Sequence, residues 1–224
     1  MLLAVDTSTK TIGLALLNGQ QILAQSSWYS QNHHTVELSP AIVRMLSQCK
    51  VAAEDLTCLG VALGPGSFTG LRIGLAVVKG LSLALGIPVI GVPTLEIYAH
   101  AQPLAPDVQL AAFLQAGRGK YAFQWYQPEK KGWKACSEIF VVSSEEIPEM
   151  LQQPSVVCGE LTDEDRELVR SECKQARLAS PALSYRYPTH LAEIAWQRFK
   201  KGERPDVNDL APIYLQIAGS VPAV

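Results

Sequence analysis

The chain has 224 residues, 48% hydrophobic and 18% charged, which excludes a disordered segment and allows one large domain or two small ones with real cores. With 19 basic and 21 acidic residues its net charge is −2, so no chain-wide basic field marks a general nucleic-acid binder. Its five cysteines (Cys49, Cys58, Cys136, Cys158, Cys173) are odd in number and nowhere closer than nine residues, which excludes a C-x-x-C zinc pair and argues against a disulfide framework.

The opening "MLLAVDTSTKT" has no basic region and five apolar residues before Asp6; it reads as an acid-tipped strand, not a signal peptide. "TIGLALLNGQQILAQSSWYS" follows as a hairpin, with a type I′ turn expected at Asn18-Gly19. Leu38, Ile42, Met45 and Leu46 recur at helical spacing over residues 35–49, with Pro40 near the start, where a missing N–H costs least. A strand is predicted over 59–63 and a helix over 68–85, with Ser67 as N-cap and Gly86 just past its end. Lys79 and the glycines interrupt the longest apolar stretches, so no membrane span is expected and the protein is placed in the cytoplasm. "IPVIGV" is the next strand, and Thr94 is predicted to cap a helix reaching about Ala101.

The two prolines of "AQPLAPDVQ" mark a boundary, giving domains 1–102 and 103–224. Beyond it strands are predicted near 109–114, 121–126 and 136–142, then a short helix near 145–151, the strand "SVVCG" and a late helix at "LAEIAWQRF". The order is that of an α/β fold whose second half repeats the opening three-strand theme in degenerate form.

Two stretches carry candidate chemistry. Asp6, Thr7 and Ser8 sit at a strand tip, where a carboxylate can hold a hydrated cation and short side chains let phosphate reach the backbone; the alternative is an acid satisfied by turn amides. Gly64, Pro65, Gly66 and Ser67 link a strand to a helix, a place where anions bind. Their spacing nevertheless fails the Walker loop, the dinucleotide fingerprint and the hydrolase elbow, so Ser67 reads as a cap rather than a nucleophile. Gly70, Gly74 and Gly80 each cost the helix about 1 kcal/mol relative to alanine, and close approach of another helix is the expected compensation. The adjacent His33 and His34 would face different ways on a helix and suit a surface or capping role, while His100 and His190 are isolated.

"LLAVDTSTKTIGLAL", "NHHTVELSPAI" and "GPGSFTGLRIGLAVVKGLSLALGIPVIGVPTLE" resemble the TsaB (YeaZ) family over about the first hundred residues. "GRGKYAFQWY" and "LAPIYLQ" are weaker marks farther on. The resemblance implies a two-lobed actin-like ATPase fold (ASKHA, ribonuclease H-like) with a degenerate second lobe. It implies a non-catalytic, activating subunit of the complex that makes N6-threonylcarbamoyladenosine in tRNA. The implied partners are the metal-bearing catalytic paralogue TsaD and the small P-loop ATPase TsaE, with tRNA reached only through the complex and no membrane contact. Two helices of the first lobe would form the partner interface, through His34, Leu38, Ile42 and Met45 on one and Leu71, Arg72, Leu75 and Val78 on the other. Without a partner, that apolar face would make a homodimer.

The resemblance implies no cofactor in the isolated chain. Asp6, Thr7, Ser8, Gly64 and Gly66 would be a vestigial nucleotide site, or one shared at the interface of the assembled complex with ATP or ADP and Mg²⁺. Several positions depart from the family and its catalytic paralogue. Thr94 and Tyr98, with Glu96 between them, stand where the paralogue has a histidine metal pair, and a hydroxyl and a phenol cannot replace two imidazoles. Gln115 stands at the second lobe's strand tip where an acid is usual, Ser39 where a large apolar residue is usual, and Lys10 where an acid is common. Two other readings remain open from sequence: a stand-alone actin-like ATPase or kinase using the Asp6 and Gly64 stretches, and a protease acting on its paralogue through Ser67.

Overall fold

A computed structural model describes residues 1–31 and 33–215. Gln216, the last residue of the "LAPIYLQ" mark, lies outside the described residues. The chain forms two units, one built from Met1–Ile97 with Arg186–Ile213 and the other from Tyr98–Tyr185 with, among the described residues, Tyr214 and Leu215. The boundary predicted at residue 103 therefore moves to 97/98, and Arg186–Ile213 returns to the first unit. Local composition marked a break in the chain but could not reveal that return.

The first unit contributes, in chain order, β1 (Leu2–Asp6), β2 (Thr11–Asn18), β3 (Gln21–Tyr29), α1 (His34–Gln48), β4 (Cys58–Gly64), α2 (Phe68–Leu85) and β5 (Val89–Pro93). A short helix, α3 (Thr94–His100), then crosses the boundary. The sheet order is β3-β2-β1-β4-β5, with β1, β4 and β5 parallel and β2 and β3 antiparallel to their neighbours. β1 is central and buried on both faces, so it reads as a continuous apolar run. Leu3 and Val5 face a core shared with Leu38, Ile42 and Met45 of α1 and Leu75 and Val78 of α2. Leu2 and Ala4 face the opposite core.

The second unit contains β6 (Gln109–Gln115), β7 (Lys120–Glu129), β8 (Gly132–Ala135), β9 (Phe140–Ser143), α4 (Ile147–Met150), β10 (Ser155–Gly159), α5 (Asp163–Glu172) and β11 (Ala176–Leu178). Its sheet runs β11-β10-β6-β7-β8, with β9 also paired to β7. The central β6 takes the place of β1, and parallel β10 and β11 take those of β4 and β5. The same topology is thus used twice. The helices shrink in the second copy, from 15 residues in α1 to four in α4 and from 18 in α2 to ten in α5. The strand predicted over 136–142 begins only at Phe140, as β9, because Ser137 is held otherwise: its Oγ accepts the Trp125 amide at 2.9 Å and its carbonyl the Gln124 side chain at 2.9 Å; β8, just before that span, was not predicted.

α6 (Pro188–Lys200) returns to cover the second face of the first sheet. Leu191, Ala192, Ile194 and Ala195 are buried there, and full burial of a leucine or isoleucine contributes about 1.5–3 kcal/mol. Gly60 in β4 admits Ala195, since a Cβ at Gly60 would come within 2.9 Å of it.

α2 has the predicted ends: Ser67 Oγ accepts the Gly70 amide at 3.2 Å, and Gly86 closes the helix at φ 66°. By length and composition α2 could cross a membrane, contrary to expectation, but in the fold it lies against the sheet. Three local expectations change. The hairpin turn is centred on Gly19 and Gln20, with Gly19 at φ 65° in the first central position, the type II′ pattern rather than I′. Pro40 is the seventh residue of α1, so the helix lacks the bond to the Val36 carbonyl. Thr94 opens α3 but its Oγ1 is buried without a hydrogen-bond partner, so it is no cap.

Candidate functional site

Asp6, Thr7 and Ser8 leave β1 at its C-terminal end and are at most 1% exposed. Open parallel sheets bind ligands beyond such strand ends. Here the side-chain oxygens of all three already bond within the chain. Asp6 Oδ1 accepts the Ser8 amide at 2.9 Å and the Ser8 hydroxyl at 2.6 Å. Asp6 Oδ2 accepts Arg186 Nε in an ion pair whose side chains are 2% and 3% exposed. Arg186 Nη2 also donates to Thr9 Oγ1 at 2.7 Å. Arg186 is the first residue of the returning segment. Sequence reasoning missed it, because 180 residues separate it from Asp6 and no motif links them.

The Gly64–Ser67 loop folds onto this turn. The Ser67 amide donates to the Ser8 carbonyl at 2.7 Å, and Thr7 Oγ1 donates to the Gly70 carbonyl at 2.8 Å. A Cβ at Gly66 would collide with the Ser8 carbonyl, one at Gly70 with the Thr7 carbonyl, and one at Gly74 with Thr7 Oγ1. The α2 glycines thus accommodate the turn after β1, not another helix as expected; Gly80 has nothing within 4 Å. Gly64 lies beside the Ile213 carbonyl, and the Ile213 amide donates to Leu63 at 2.7 Å.

Several groups that magnesium or a nucleotide would use are engaged within the chain. Asp6 is matched by a guanidinium, and Thr7 Oγ1, Ser8 N, Ser8 Oγ, Ser67 N and Gly70 N are already donating. Ser67 Oγ acts as the α2 cap, the role its position predicts.

The predicted partner face needs correction. Leu38, Leu71 and Val78 are at most 1% exposed, and Ile42, Met45, His34 and Leu75 at most 7%; of the eight residues, Arg72 is exposed. His34 Nε2–H donates to the Thr9 carbonyl at 2.9 Å, so it braces the same turn. Helical periodicity identified the sides of α1 and α2 that face their own sheet. The outward sides carry Val36 and Val43 on α1 and Phe68, Ala76 and Leu83 on α2, with the Arg72 guanidinium 3.7 Å above the Phe68 ring.

Other departures fall into place separately. Glu96 is held bidentately by Arg198 Nη2 at 2.7 Å to each oxygen, and Tyr98 Oη donates to Glu160 at 2.9 Å. Ser39 and Lys10 are exposed. Gln115 ends β6 and is exposed. In the second unit, Tyr121 Oη donates to Asp165, and Thr162 Oγ1 donates to the same carboxylate at 2.7 Å. Burial pushes the Asp165 carboxyl up, but hydrogen bonds from Tyr121, Thr162 and Ser144 together hold it below the usual range. Burial and the bond to Asp165 push the Tyr121 hydroxyl up.

Two sheets of one topology define the class as the actin-like ATPase fold. EutJ from Carboxydothermus hydrogenoformans shares it at a TM-score of 0.52 and 15% identity, over 85% of this chain and 88% of that one. YeaZ from Pseudomonas aeruginosa superposes at 0.77 with 24% identity, over 96% and 99%. A family model described as "TsaD: tRNA N6-adenosine threonylcarbamoyltransferase" matches residues 22–196. The protein named "tRNA threonylcarbamoyladenosine biosynthesis protein TsaB" in Bacillus subtilis (strain 168) is 31% identical over 221 residues, 97% of this chain and 94% of that one. Its namesake in Escherichia coli (strain K12) is 29% identical over 223 residues, 96% and 94%. The chain belongs to the TsaB (YeaZ) family, whose members' names place it in tRNA threonylcarbamoyladenosine biosynthesis.

Proposed function

We propose that the chain is a non-catalytic, activating subunit in tRNA threonylcarbamoyladenosine biosynthesis, pairing with the metal-bearing paralogue TsaD, with TsaE joining the pair and tRNA reached through the complex. The observation that carries this reading is the closed strand end, where an acid usable for a cation is ion-paired to Arg186 and the Thr7 hydroxyl and Ser8 amide already donate within the chain. The match to a transferase family model supports descent from a shared ancestor, and hence a paralogous pair.

The docking face is assigned to the outward sides of α1 and α2. Val36 (69% exposed), Val43 (67%), Phe68 (52%) and Leu83 (74%) are large apolar side chains turned away from the core. Loss of that area from water favours association, and the same face makes a homodimer when the paralogue is absent. Ala76→Glu and Leu83→Asp alter this face without entering the core. Each variant should keep its circular dichroism spectrum, elute as a monomer and no longer co-purify with TsaD. Unchanged elution and intact co-purification of both would refute the assignment. Calorimetry of the isolated chain with Mg-ATP tests the enzyme alternative, and tight binding with steady hydrolysis would establish it.

A further inference from the structure

We propose that Arg186 is a resident counter-cation standing where a divalent metal would sit, so that the Asp6 turn is loaded without any metal or nucleotide. The inference rests on the non-catalytic reading and explains how the strand end holds its shape. The Arg186 guanidinium donates through Nε to Asp6 Oδ2 and through Nη2 to Thr9 Oγ1, so one planar cation bridges a carboxylate oxygen and a hydroxyl at the strand end. A carboxylate oxygen and a hydroxyl oxygen are also the kind of donors that a hydrated divalent cation takes. The second carboxylate oxygen is fixed by the Ser8 amide and hydroxyl, so the first is aimed rather than free to rotate. With both side chains nearly out of solvent, the Asp6 carboxylate needs a positive partner, and the Arg186 guanidinium supplies it.

The consequence reaches α2. The turn fixed by Arg186 accepts the Ser67 amide on the Ser8 carbonyl and gives the Thr7 hydroxyl to the Gly70 carbonyl. The entry of α2, the helix assigned to docking, is thereby ordered by a side chain of the returning segment. No ligand has to arrive for that helix to be in place.

The test compares wild type, Arg186→Met and the Asp6→Asn/Arg186→Met double variant, titrated with Mn²⁺ and followed by electron paramagnetic resonance. Wild type should show no Asp6-dependent site. Arg186→Met should gain one Mn²⁺ site per chain, and the double variant should lose it. MgCl₂ or millimolar guanidinium chloride should raise the unfolding temperature of Arg186→Met and leave wild type and the double variant unmoved. If Arg186→Met does not fold on its own, refolding it with either cation should restore the native spectrum. A wild-type Mn²⁺ site abolished by Asp6→Asn overturns the proposal, as does an Arg186→Met chain that neither gains a site nor responds to either cation. The docking reading is judged separately, by co-purification of wild type with TsaD.

Discussion

Gly70 and Gly80 lie on the same helix, and opposite responses to alanine are expected. Intrinsic propensity favours both changes, by about 1 kcal/mol in a helix interior. At Gly80 nothing lies within 4 Å of the new Cβ, so the gain should survive. At Gly70 the Cβ would collide with the Thr7 carbonyl, a backbone atom. That carbonyl cannot step aside easily, because Ser8 is tied to Asp6 and Asp6 to Arg186. Overpacking of this kind costs roughly 1–3 kcal/mol, and the displaced Thr7–Gly70 bond adds about 1 more. The net expectation is a loss of about 2 kcal/mol for Gly70→Ala and a gain of about 1 for Gly80→Ala. At about 2–4 °C per kcal/mol for a chain of this size, calorimetry should read a fall of about 4–8 °C and a rise of about 2–4 °C. Shifts of the same sign in the two variants would refute the role given to the Asp6 turn.

Leu75→Glu, by contrast with the surface changes on α2, places a charge in the core beside Val78 and should unfold the first unit; a soluble, native-like chain would contradict the burial found here. In the second unit, stability from the lowered Asp165 carboxyl is complete above its unfolded value of about 3.9 and is lost as pH falls through the folded one. Asp165→Asn should therefore flatten the pH dependence of unfolding below about pH 4, and an unchanged acid limb would rule out this source. Tyr121→Phe removes a donor to Asp165 and the acceptor of the Thr162 amide at 3.2 Å, and urea titration should show a loss of about 1–3 kcal/mol. Cys136 is exposed, whereas burial pushes the Cys58 thiol to about 12; a thiol reagent on the native chain should label Cys136 and spare Cys58, and labelling of Cys58 first would contradict the fold.

Much of the first sheet was legible because its signals are local. An apolar run tipped by Asp6, a turn at Gly19, a serine cap and a glycine stop each act within a few residues. The helix α5 was equally legible but overlooked: Thr162 followed three residues later by Asp165 is a start signal, and the Asp165 amide does bond Thr162 Oγ1 at 3.1 Å. The partner face failed for a different reason. In a helix lying on a sheet, the strongest apolar stripe is the one the sheet covers. Leu38, Ile42, Leu75 and Val78 form that stripe. The docking face proposed above is what remains on the other side, where the exposed apolar residues, Val36 and Val43 or Ala76 and Leu83, are too sparse to compete with the buried stripe as a signal.

Arg186 was illegible because its meaning depends on where the chain returns, and the same return clarifies the loop at Gly64 to Gly70. In an open sheet the ends of β1 and β4 form a hollow suited to an anion or a cation. Here one side is filled by a guanidinium and the other by backbone, with Gly66, Gly70 and Gly74 allowing the turn and helix to close on each other. Glycines that would admit a phosphate elsewhere admit Thr7 and Ser8 instead. A strand end closed from both sides holds the entry of α2 against the turn after β1. Under the counter-cation proposal, Asp6 would offer a metal a coordination site only once Arg186 is removed.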